Sequence, residues 1–352
     1  MSGATGLMGS ATGIMARIGE ATNRTLVLPI VMFSPTQRCN SACVSCAWWT
    51  TPASAAGAEL SVAETETIAD DMVRMGTRLV VFTGGEPLLR ADVVDLARVF
   101  RSRGIELHLL TSGLGLEPRV EAIASVFSRV IVSLDGSTRE QYRSIRGVDG
   151  FEALRNGIRH LRSVAPHVTV SARSTLHALN FRDMPALVSA ARELGCASVS
   201  FLAADIRSDA FGPRDIDGLQ SLRLTPTAVE EFKSVLTTFE RTHARDIASR
   251  FVAEPVAKLR QLAQYYAAIN GDATFPARHC NAPWTSLVIE ANGDVRPCFF
   301  HAVVDNVRRT TLVDIARHRM PSFRAALNVA TNTTCERCVC SLKLGWRDQP
   351  WM

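Results

Sequence analysis

The sequence predicts an α/β fold in which a parallel sheet is built from βα units. Short apolar segments alternate with helical patterns throughout residues 26–203. This alternation is typical of a parallel sheet covered by helices. Six strands are predicted, which is too few to close an eight-stranded barrel. We therefore predict a partial (β/α)6 TIM-like barrel that is curved and open on one side.

The six predicted strands are apolar segments that run into turn-forming residues, at 27–33, 78–83, 105–110, 130–134, 168–173 and 198–203. The first helix is predicted to begin at Ser61, because Glu64 follows at the spacing of a capping box. The other barrel helices are predicted from apolar periodicity at about 91–103, 117–127, 151–163 and 183–194.

The flanking segments have a different character. Residues 1–25 are rich in Gly, Ala, Ser, Met and Thr and have no basic segment followed by an apolar core, so they are not a signal peptide. We predict a flexible tail there. Residues 204–277 are predicted to be a helical insertion or linker, with helices at about 226–245 and 251–269. The first of these helices has one apolar face, which is predicted either to pack against the barrel or to belong to a lid that shapes the substrate site.

The last segment, residues 278–352, is predicted to be a small α+β domain. Strand-like residues flank Asn292-Gly293, a pair that favours a hairpin turn. Two short helices follow, near 311–318 and 321–329.

Composition excludes several classes of partner. The formal charge of +5 is spread over 352 residues without a polybasic run, so neither nucleic acid nor an anionic membrane is expected to bind. No segment reaches the roughly 18 apolar residues of a membrane span. We expect a cytoplasmic protein.

The nine cysteines indicate metal or redox chemistry rather than disulfides, because the sequence shows no export signal. Eight of them fall into two groups, at 39–46 and 280–340. Cys196 stands apart and is predicted to be a buried bystander.

Cys39, Cys43 and Cys46 form a C-x3-C-x2-C loop just after the first predicted strand. Soft thiolates suit zinc, copper(I) or iron–sulfur clusters. Structural zinc needs a fourth ligand, and the next histidine is distant, at His108. Three cysteines on a four-iron cluster would leave one iron free for a small molecule. Core cysteines or a partial zinc site are the alternatives.

A glycine pair ends the second predicted strand, in Gly84-Gly85-Glu86-Pro87. Two glycines allow the backbone to approach a ligand closely, and a carbonyl exposed there can accept a hydrogen bond from an ammonium group. Carboxyl ends of parallel strands form the site edge of such folds. The cysteine loop and this motif are therefore expected to lie together.

The second cysteine group has the pattern C-x12-G-x4-C followed by C-x2-C, at Cys280, Cys298, Cys335 and Cys338. Four cysteines can saturate one four-iron cluster, which then suits electron transfer rather than ligand binding. A four-cysteine zinc ribbon is the alternative. Cys340 could replace Cys338 as the fourth ligand.

Together these motifs resemble the radical S-adenosylmethionine (AdoMet) superfamily with a C-terminal SPASM or twitch-type domain. The resemblance covers roughly residues 30–203 and 278–340. It implies a [4Fe-4S] cluster on the first three cysteines, chelated by the amine and carboxylate of AdoMet, and one auxiliary [4Fe-4S] cluster on the other four.

The resemblance also implies roles for residues at the strand ends. Gly84, Gly85, Glu86 and Pro87 are expected to receive the AdoMet amine. Ser112 and Ser133 end the third and fourth strands, and Ser133 is expected to contact the ribose or carboxylate of AdoMet.

Arg146 is expected to pair with the AdoMet carboxylate, because a guanidinium suits that partner. The alternative is an ordinary ion pair with Asp135 or Glu140. One departure from the family pattern is Ser45, which stands where an aromatic residue is common; Trp48 and Trp49 could supply that surface.

Two further residues are candidates for catalysis. Arg173 lies on the fifth predicted strand, where an arginine within a barrel must be paired. It is expected to grip substrate or AdoMet, or else a structural carboxylate. Asp205 follows the sixth strand and is a candidate general base or hydrogen-bond acceptor.

The implied reaction begins with an electron from a donor such as flavodoxin or ferredoxin. AdoMet is cleaved to a 5′-deoxyadenosyl radical that takes a hydrogen atom from the substrate. If the substrate radical then loses a proton and gives its electron to the auxiliary cluster, the net reaction is a two-electron dehydrogenation of the substrate. We therefore predict an oxidoreductase acting on a sugar-like, cyclitol-like or other natural-product small molecule.

Two alternatives stay open. The first is epimerisation or crosslinking of a ribosomal peptide. Such enzymes often carry an N-terminal recognition domain, and only about 25 residues precede the first predicted strand, which favours the small molecule. The second is a non-catalytic, zinc-stabilised binding protein.

Overall fold

The computed structural model describes residues 2–212, 218–345 and 348. Within these residues, nine strands form one sheet. They are β1 (Ile30–Thr36), β2 (Leu79–Gly84), β3 (Glu106–Thr111), β4 (Arg129–Ser133), β5 (Thr169–Leu176), β6 (Ser198–Ala203), β7 (Ser286–Ile289), β8 (Asp294–Arg296) and β9 (Asp305–Asn306). Their order across the sheet is β6-β5-β4-β3-β2-β1-β7-β8-β9.

Helices connect the strands and cover one face of the sheet. They are α1 (Ser2–Thr22), α2 (Val62–Arg74), α3 (Val93–Arg101), α4 (Val120–Ala124), α5 (Arg139–Arg146), α6 (Phe151–Val164), α7 (Met184–Glu193), α8 (Pro226–Thr242), α9 (Ala244–Ala248), α10 (Val256–Asn270), α11 (Ala282–Thr285), α12 (Leu312–Asp314), α13 (Met320–Ala325) and α14 (Thr333–Glu336). Short 3₁₀ turns cover Trp48–Thr50, Ala53–Ala58, Pro87–Leu89, Glu117–Arg119, Phe181–Asp183 and Gly218–Leu222, and a π-helical turn covers Ile315–Arg319.

The predicted partial barrel is confirmed. Strands β1 to β6 pair in chain order and all run parallel. Strand β1 begins three residues later than the predicted 27–33, after Pro29, and extends beyond Phe33 through Ser34 and Pro35 to Thr36. The predicted capping box is present, because Ser61 Oγ accepts from the Glu64 amide at 3.2 Å and Glu64 Oε2 accepts from the Ser61 amide at 2.8 Å.

Aromatic side chains between the sheet and its helices anchor the core. Phe82 makes edge-to-face contacts with Phe33, Phe100 and Phe127 at centroid distances of 5.3, 5.8 and 5.2 Å. All four rings are fully buried. Such pairs add to the stabilisation that comes from burial itself. A well-packed aromatic layer therefore supports the C-terminal ends of the strands.

The C-terminal hairpin is not a separate sheet. Its first strand, β7, pairs in parallel with β1, from Ile30 opposite Ser286 to Phe33 opposite Ile289. Strand β8 then returns antiparallel to β7 across the Asn292-Gly293 turn, as predicted. The small α+β domain therefore extends the barrel sheet at its open edge.

Residues that follow the last cysteine close the interior of the barrel. Leu342 and Leu344 pack against Ile30, Leu79 and Val81 on the strand face that lines the interior. The side-chain amide of Asn281 holds this segment, because its Oδ1 accepts from the Leu344 amide at 2.8 Å and its Nδ2 donates to the Leu344 carbonyl at 2.9 Å.

The predicted flexible tail is wrong for residues 2–22, which form α1. Ala16 on this helix is buried. The chain after α1 is tied to the C-terminal domain, since Arg324 donates to Asn23 Oδ1 and Thr25 Oγ1 at 2.9 Å each. Tertiary contacts thus support a helix that its Gly-, Ser- and Thr-rich sequence does not favour alone.

The 204–277 segment packs on the barrel, as its packing-layer interpretation requires. The predicted apolar face of α8 is buried, with Phe232 against Phe181 and Phe239 against Phe201. Helix α10 begins only after Pro255, later than predicted. Residues 213–217 of the predicted loop, and 346–347 and 349–352 of the predicted C-terminal domain, lie outside the described residues.

The two helices predicted near 311–318 and 321–329 form one continuous helical segment from Leu312 to Ala325. Pro321 lies in α13 directly after the π-helical turn. Among the described helices, none is long and apolar enough to cross a membrane.

Arg308 joins the C-terminal domain to the start of α2. Its Nε donates to Glu64 Oε1 at 2.6 Å, and its terminal nitrogens donate to the carbonyls of Ala58, Glu59 and Asn292. The hydrogen bond from Arg308, together with the helix cap at Ser61, lowers the pKa of Glu64 to about 2.

We expect Arg308→Ala to lower the free energy of unfolding at neutral pH by about 1 kcal/mol, since solvent screens a pair whose side chains are each 37% exposed. Glu64 contributes this stability above its ordinary pKa of 4.5 and loses it as the pH falls towards 2. Urea unfolding should therefore show a smaller effect of the substitution at pH 3 than at pH 7. An equal effect at both pH values would contradict the role of Glu64, and Arg309→Ala serves as an exposed control.

Candidate active site

The cysteine loop lies at the C-terminal end of β1, and Cys39, Cys43 and Cys46 line one cavity there. The carbonyls of Arg146 and Ile145, at the end of α5, accept from the amides of Ala42 and Val44 at 2.9 and 3.0 Å. Gly147 follows with a φ of +68° and is close enough that a Cβ would lie 2.3 Å from the Ala42 carbonyl oxygen. Helix α5 thus shapes the loop that presents the three thiols.

Burial raises the pKa of the Cys43 thiol to about 12, against the opposing charge of Arg146. Burial also raises the pKa of Cys39. The protein surroundings alone favour the protonated thiols, so thiolates at this site would require a bound cation to stabilise them. Three convergent cysteines with that need fit an iron–sulfur cluster.

The glycine motif at the end of β2 lies against the cysteine loop. The amides of Gly85 and Glu86 donate to the carbonyls of Thr36 and Arg38 at 3.0 and 2.8 Å. A Cβ on Gly85 would lie 2.1 Å from the Arg38 carbonyl oxygen. Glycine is needed at this position because the backbone of the motif packs directly against the backbone of the cysteine loop. This requirement adds to the predicted close approach of a ligand.

Glu86 is 1% exposed and joins the ends of β2 and β3. Its carboxylate accepts from the Leu88 amide at 3.0 Å, from Thr111 Oγ1 at 2.7 Å and from the Ser112 amide at 2.6 Å. Pro87 is buried behind it and begins a 3₁₀ turn. Glu86 therefore holds the rim of the cavity through an internal network, while Pro87 is not among the residues that line the cavity.

We expect Glu86→Gln to lower the free energy of unfolding by about 2–4 kcal/mol, because an amide cannot replace a carboxylate that accepts three buried hydrogen bonds. Affinity for AdoMet should fall with it, since Ser112 and the glycine motif lose their common support. Urea unfolding and equilibrium dialysis with AdoMet measure the two effects. Unchanged stability would contradict the network, and Glu66→Gln on the exposed face of α2 is the matched control.

Arg146 forms an ion pair with Asp135, which was the alternative to its pairing with the AdoMet carboxylate. Its Nη1 donates to Asp135 Oδ2 at 3.1 Å, and Asp135 Oδ1 accepts from the Thr175 amide at 2.7 Å. Arg146 Nε and Ser112 Oγ are buried without a hydrogen-bond partner among the described residues, and both residues line the cavity. Buried polar atoms normally find partners. A polar ligand such as AdoMet suits these two, and their contact with it stays a prediction.

Ser133 and Asp205 also line the cavity, at the ends of β4 and β6. Asp205 is buried, and its two oxygens accept from the Arg207 amide at 3.1 Å and from Ser208 Oγ. Arg173 is not among the residues that line this cavity, although its charge acts on Cys340 of the cavity wall. It lies three residues before the end of β5 and donates to Ser200 Oγ on the neighbouring strand at 3.3 Å, below the rim.

Several cavity residues carried no signal in the sequence. Phe211 lines the cavity after β6, and its carbonyl accepts from the Ala47 amide at 2.9 Å. Its ring contacts those of Phe299 and Phe300 at 6.3 and 5.9 Å. Long-range contact alone brings these rings together. Ser45 and Trp48 do line the cavity, whereas Trp49 is 48% exposed.

A second cavity contains the other cysteine group. It is lined by the four predicted ligands Cys280, Cys298, Cys335 and Cys338, together with Cys340 and His301. The Cys340 amide donates to Cys338 Sγ at 3.2 Å, as the Ser41 amide does to Cys39 Sγ at 3.5 Å. The Cys338 thiol in turn donates to the Cys340 carbonyl at 2.7 Å, so the Cys338 sulfur and the Cys340 backbone are in reciprocal contact.

Cys340 lines both cavities and so forms part of the wall between them. Among the described residues, no three His, Cys, Asp or Glu side chains converge closely enough for one metal ion.

Sequence comparisons agree with this geometry. The family model of the radical SAM superfamily matches residues 33–191, and that of the SPASM iron-sulfur cluster-binding domain matches residues 280–339. Fe-coproporphyrin III synthase of Methanosarcina barkeri is 31% identical over 163 residues, which are 45% of this chain and 40% of the synthase. PqqA peptide cyclase of Ruegeria pomeroyi is 27% identical over 334 residues, 91% of this chain and 82% of the cyclase.

The chain spans about half the length or less of several other curated relatives that it matches. Among solved structures, Streptococcus suis SuiB bound to S-adenosylmethionine has a TM-score of 0.60 at 14% identity, covering 93% of this chain and 73% of SuiB. This similarity supports the fold.

The two family models confirm the predicted cofactors. The radical SAM domain implies a [4Fe-4S] cluster that binds AdoMet, and the SPASM domain implies auxiliary iron–sulfur binding. Both matches coincide with the two cysteine-lined cavities and favour iron–sulfur chemistry over the zinc alternative. The chain therefore carries a radical SAM domain at residues 33–191 and a SPASM-type iron–sulfur cluster-binding domain at residues 280–339.

Proposed function

We propose that this protein is a radical SAM enzyme that modifies a peptide, by crosslinking or epimerisation. The extent of one match carries this proposal. Similarity to PqqA peptide cyclase runs through both domains, over 91% of this chain, whereas the match to Fe-coproporphyrin III synthase covers 45%. The comparisons thus support the peptide alternative better than the small-molecule dehydrogenation that the sequence analysis placed first.

Bound AdoMet would supply the hydrogen abstraction when the first cluster is reduced. The chain's own residues hold and orient the reactants. Cys39, Cys43 and Cys46 would hold that cluster, while Ser112 and Arg146 offer a free hydroxyl and a free guanidinium N–H at the cavity wall. These groups fix where the reacting atoms lie.

The cavity has an apolar lining beside its polar groups. Leu202, Phe211 and Val339 line it, together with the carboxylate of Asp205. This surface suits an apolar or aromatic peptide side chain, with Asp205 placed to accept a hydrogen bond or a proton. Local donors already orient the Asp205 carboxylate, which reduces the cost of holding it in place.

Small-molecule dehydrogenation is the second candidate. Its support is the match to Fe-coproporphyrin III synthase, whose 31% identity over 163 residues exceeds the 27% of the peptide cyclase over 334 residues. The match to the peptide cyclase covers 91% of this chain and therefore includes the SPASM domain.

One experiment separates them. The anaerobically reconstituted protein is incubated with AdoMet, a flavodoxin or ferredoxin reducing system, and either precursor peptides encoded near its gene or small molecules from the same neighbourhood. Deoxyadenosine and substrate mass are measured together. We expect a peptide to lose two hydrogens on crosslinking, or to gain deuterium from D2O on epimerisation. Unchanged peptides beside a small molecule that loses two hydrogens would reject the proposal.

A further inference from the structure

One imidazole lies among the cysteines of the auxiliary cavity. His301 lines this cavity, and its Nε2 is 3.4 Å from Cys335 Sγ. The residue belongs to the turn that carries Cys298, since its amide donates to the Cys298 carbonyl at 3.4 Å. His301 therefore links the two cysteine segments, through its backbone amide to Cys298 and through its imidazole to Cys335, which lies 34 positions after His301 in the chain.

The ring of His301 is held in this place by its neighbours. It packs edge-to-face on Phe323 with centroids 5.0 Å apart. The backbone carbonyl of His301 accepts from Arg296 Nη1 at 3.0 Å, and Arg296 Nε in turn donates to Glu290 Oε1 at 2.6 Å. The imidazole is thus oriented towards the sulfur by packing on one side and by an anchored backbone on the other.

We infer that His301 is a positioning residue for the auxiliary cluster, donating a hydrogen bond from Nε2–H to the thiolate of Cys335 and raising the cluster's reduction potential. A cysteine bound to iron is a thiolate, which can only accept. Four cysteines already saturate a four-iron cluster, so the imidazole is not needed as a ligand. Hydrogen bonds to cluster sulfurs stabilise the reduced, more negative state. This inference goes beyond the proposed function and holds for either class of substrate.

The test uses the full-length protein with both clusters reconstituted, titrated by reduction and followed by EPR. A variant with alanine at Cys39, Cys43 and Cys46 assigns the auxiliary signal. We expect His301→Leu to shift the auxiliary midpoint to a more negative potential. His301→Gln keeps an N–H donor and should shift it less. His279→Leu, beside Cys280 but exposed, should leave the midpoint at the wild-type value.

A midpoint in His301→Leu equal to that of His279→Leu would overturn the inference. The unsubstituted protein provides a second readout if the leucine variant loses its cluster. With ¹⁵N-labelled histidine, a weak nitrogen coupling in pulsed EPR supports a hydrogen bond through sulfur. A strong coupling would mean that the imidazole binds iron, and no coupling would mean no contact; either result rejects the proposed role.

Discussion

Replacing Cys43 with alanine should abolish AdoMet cleavage by this protein. Cys43 is buried in the middle of the loop and is one of the three loop thiols at the first cavity, so its loss leaves two loop ligands for the cluster. Without the cluster, neither electron delivery nor AdoMet chelation is possible. We expect deoxyadenosine to fall to background, and iron to fall from about eight to about four atoms per reconstituted chain.

The matched control for this change is Cys196→Ala. Cys196 is also buried, in the barrel core and outside both cysteine groups, so its replacement removes a similar volume. The control should keep its full iron content and deoxyadenosine formation, at a cost of about 1 kcal/mol or less in stability. Deoxyadenosine formation that survives in the Cys43 variant would show that AdoMet binds elsewhere.

Adding one methyl group at Gly85 should disable the same site without removing any ligand. The new Cβ would lie 2.1 Å from the Arg38 carbonyl oxygen and 2.6 Å from that of Gln37. Both are backbone atoms just before Cys39, so the strain can be relieved only by moving the cysteine loop away from β2. We expect Gly85→Ala to cost about 3 kcal/mol in stability and to reduce AdoMet cleavage at least tenfold.

Gly57→Ala is the control for this substitution, because no atom lies within 4 Å of its added Cβ. Urea unfolding should place it within about 0.5 kcal/mol of the wild type, with unchanged deoxyadenosine formation. Gly85→Ala would contradict our interpretation if its stability and activity matched those of Gly57→Ala. That result would mean that the two loops are not in direct contact.

Local patterns explain why the first site could be predicted. The spacing of Cys39, Cys43 and Cys46 and the motif at Gly85 each lie within a few residues, and each follows a recognisable strand. Parallel strands place their carboxyl ends at one edge, so two local patterns combine into one site. The structure confirms that Cys43 and Glu86 line the same cavity.

Arg173 shows where this reasoning stopped. The sequence places Arg173 on a strand and on the face that points into the barrel. The sequence does not show how far this side chain lies from the C-terminal rim of the barrel. Only residues at the last positions of a strand reach the rim, and Thr175, two residues later on the same face, lines the cavity instead. Alternation along a strand predicts the face, whereas depth depends on where the strand ends.

Helix α1, Phe211 and His301 were missed for a different reason. Each depends on partners far away in the chain: Asn23, just after α1, binds Arg324, Phe211 contacts Phe299, and His301 approaches Cys335. Composition and periodicity describe neighbours along the chain and contain no record of such contacts. For α1, a sequence poor in helix-forming residues made the tail the reasonable expectation.

The pairing of β7 with β1 has a consequence for how the two modules can be exchanged. Because backbone hydrogen bonds run from the first barrel strand into the SPASM hairpin, the modules share one continuous architecture rather than a flexible joint. A chimera that joins this barrel to a SPASM module from another enzyme would have to reproduce the four-residue register from Ile30 to Phe33. The module boundary that sequence families recognise is therefore not a boundary at which the folded protein can be divided.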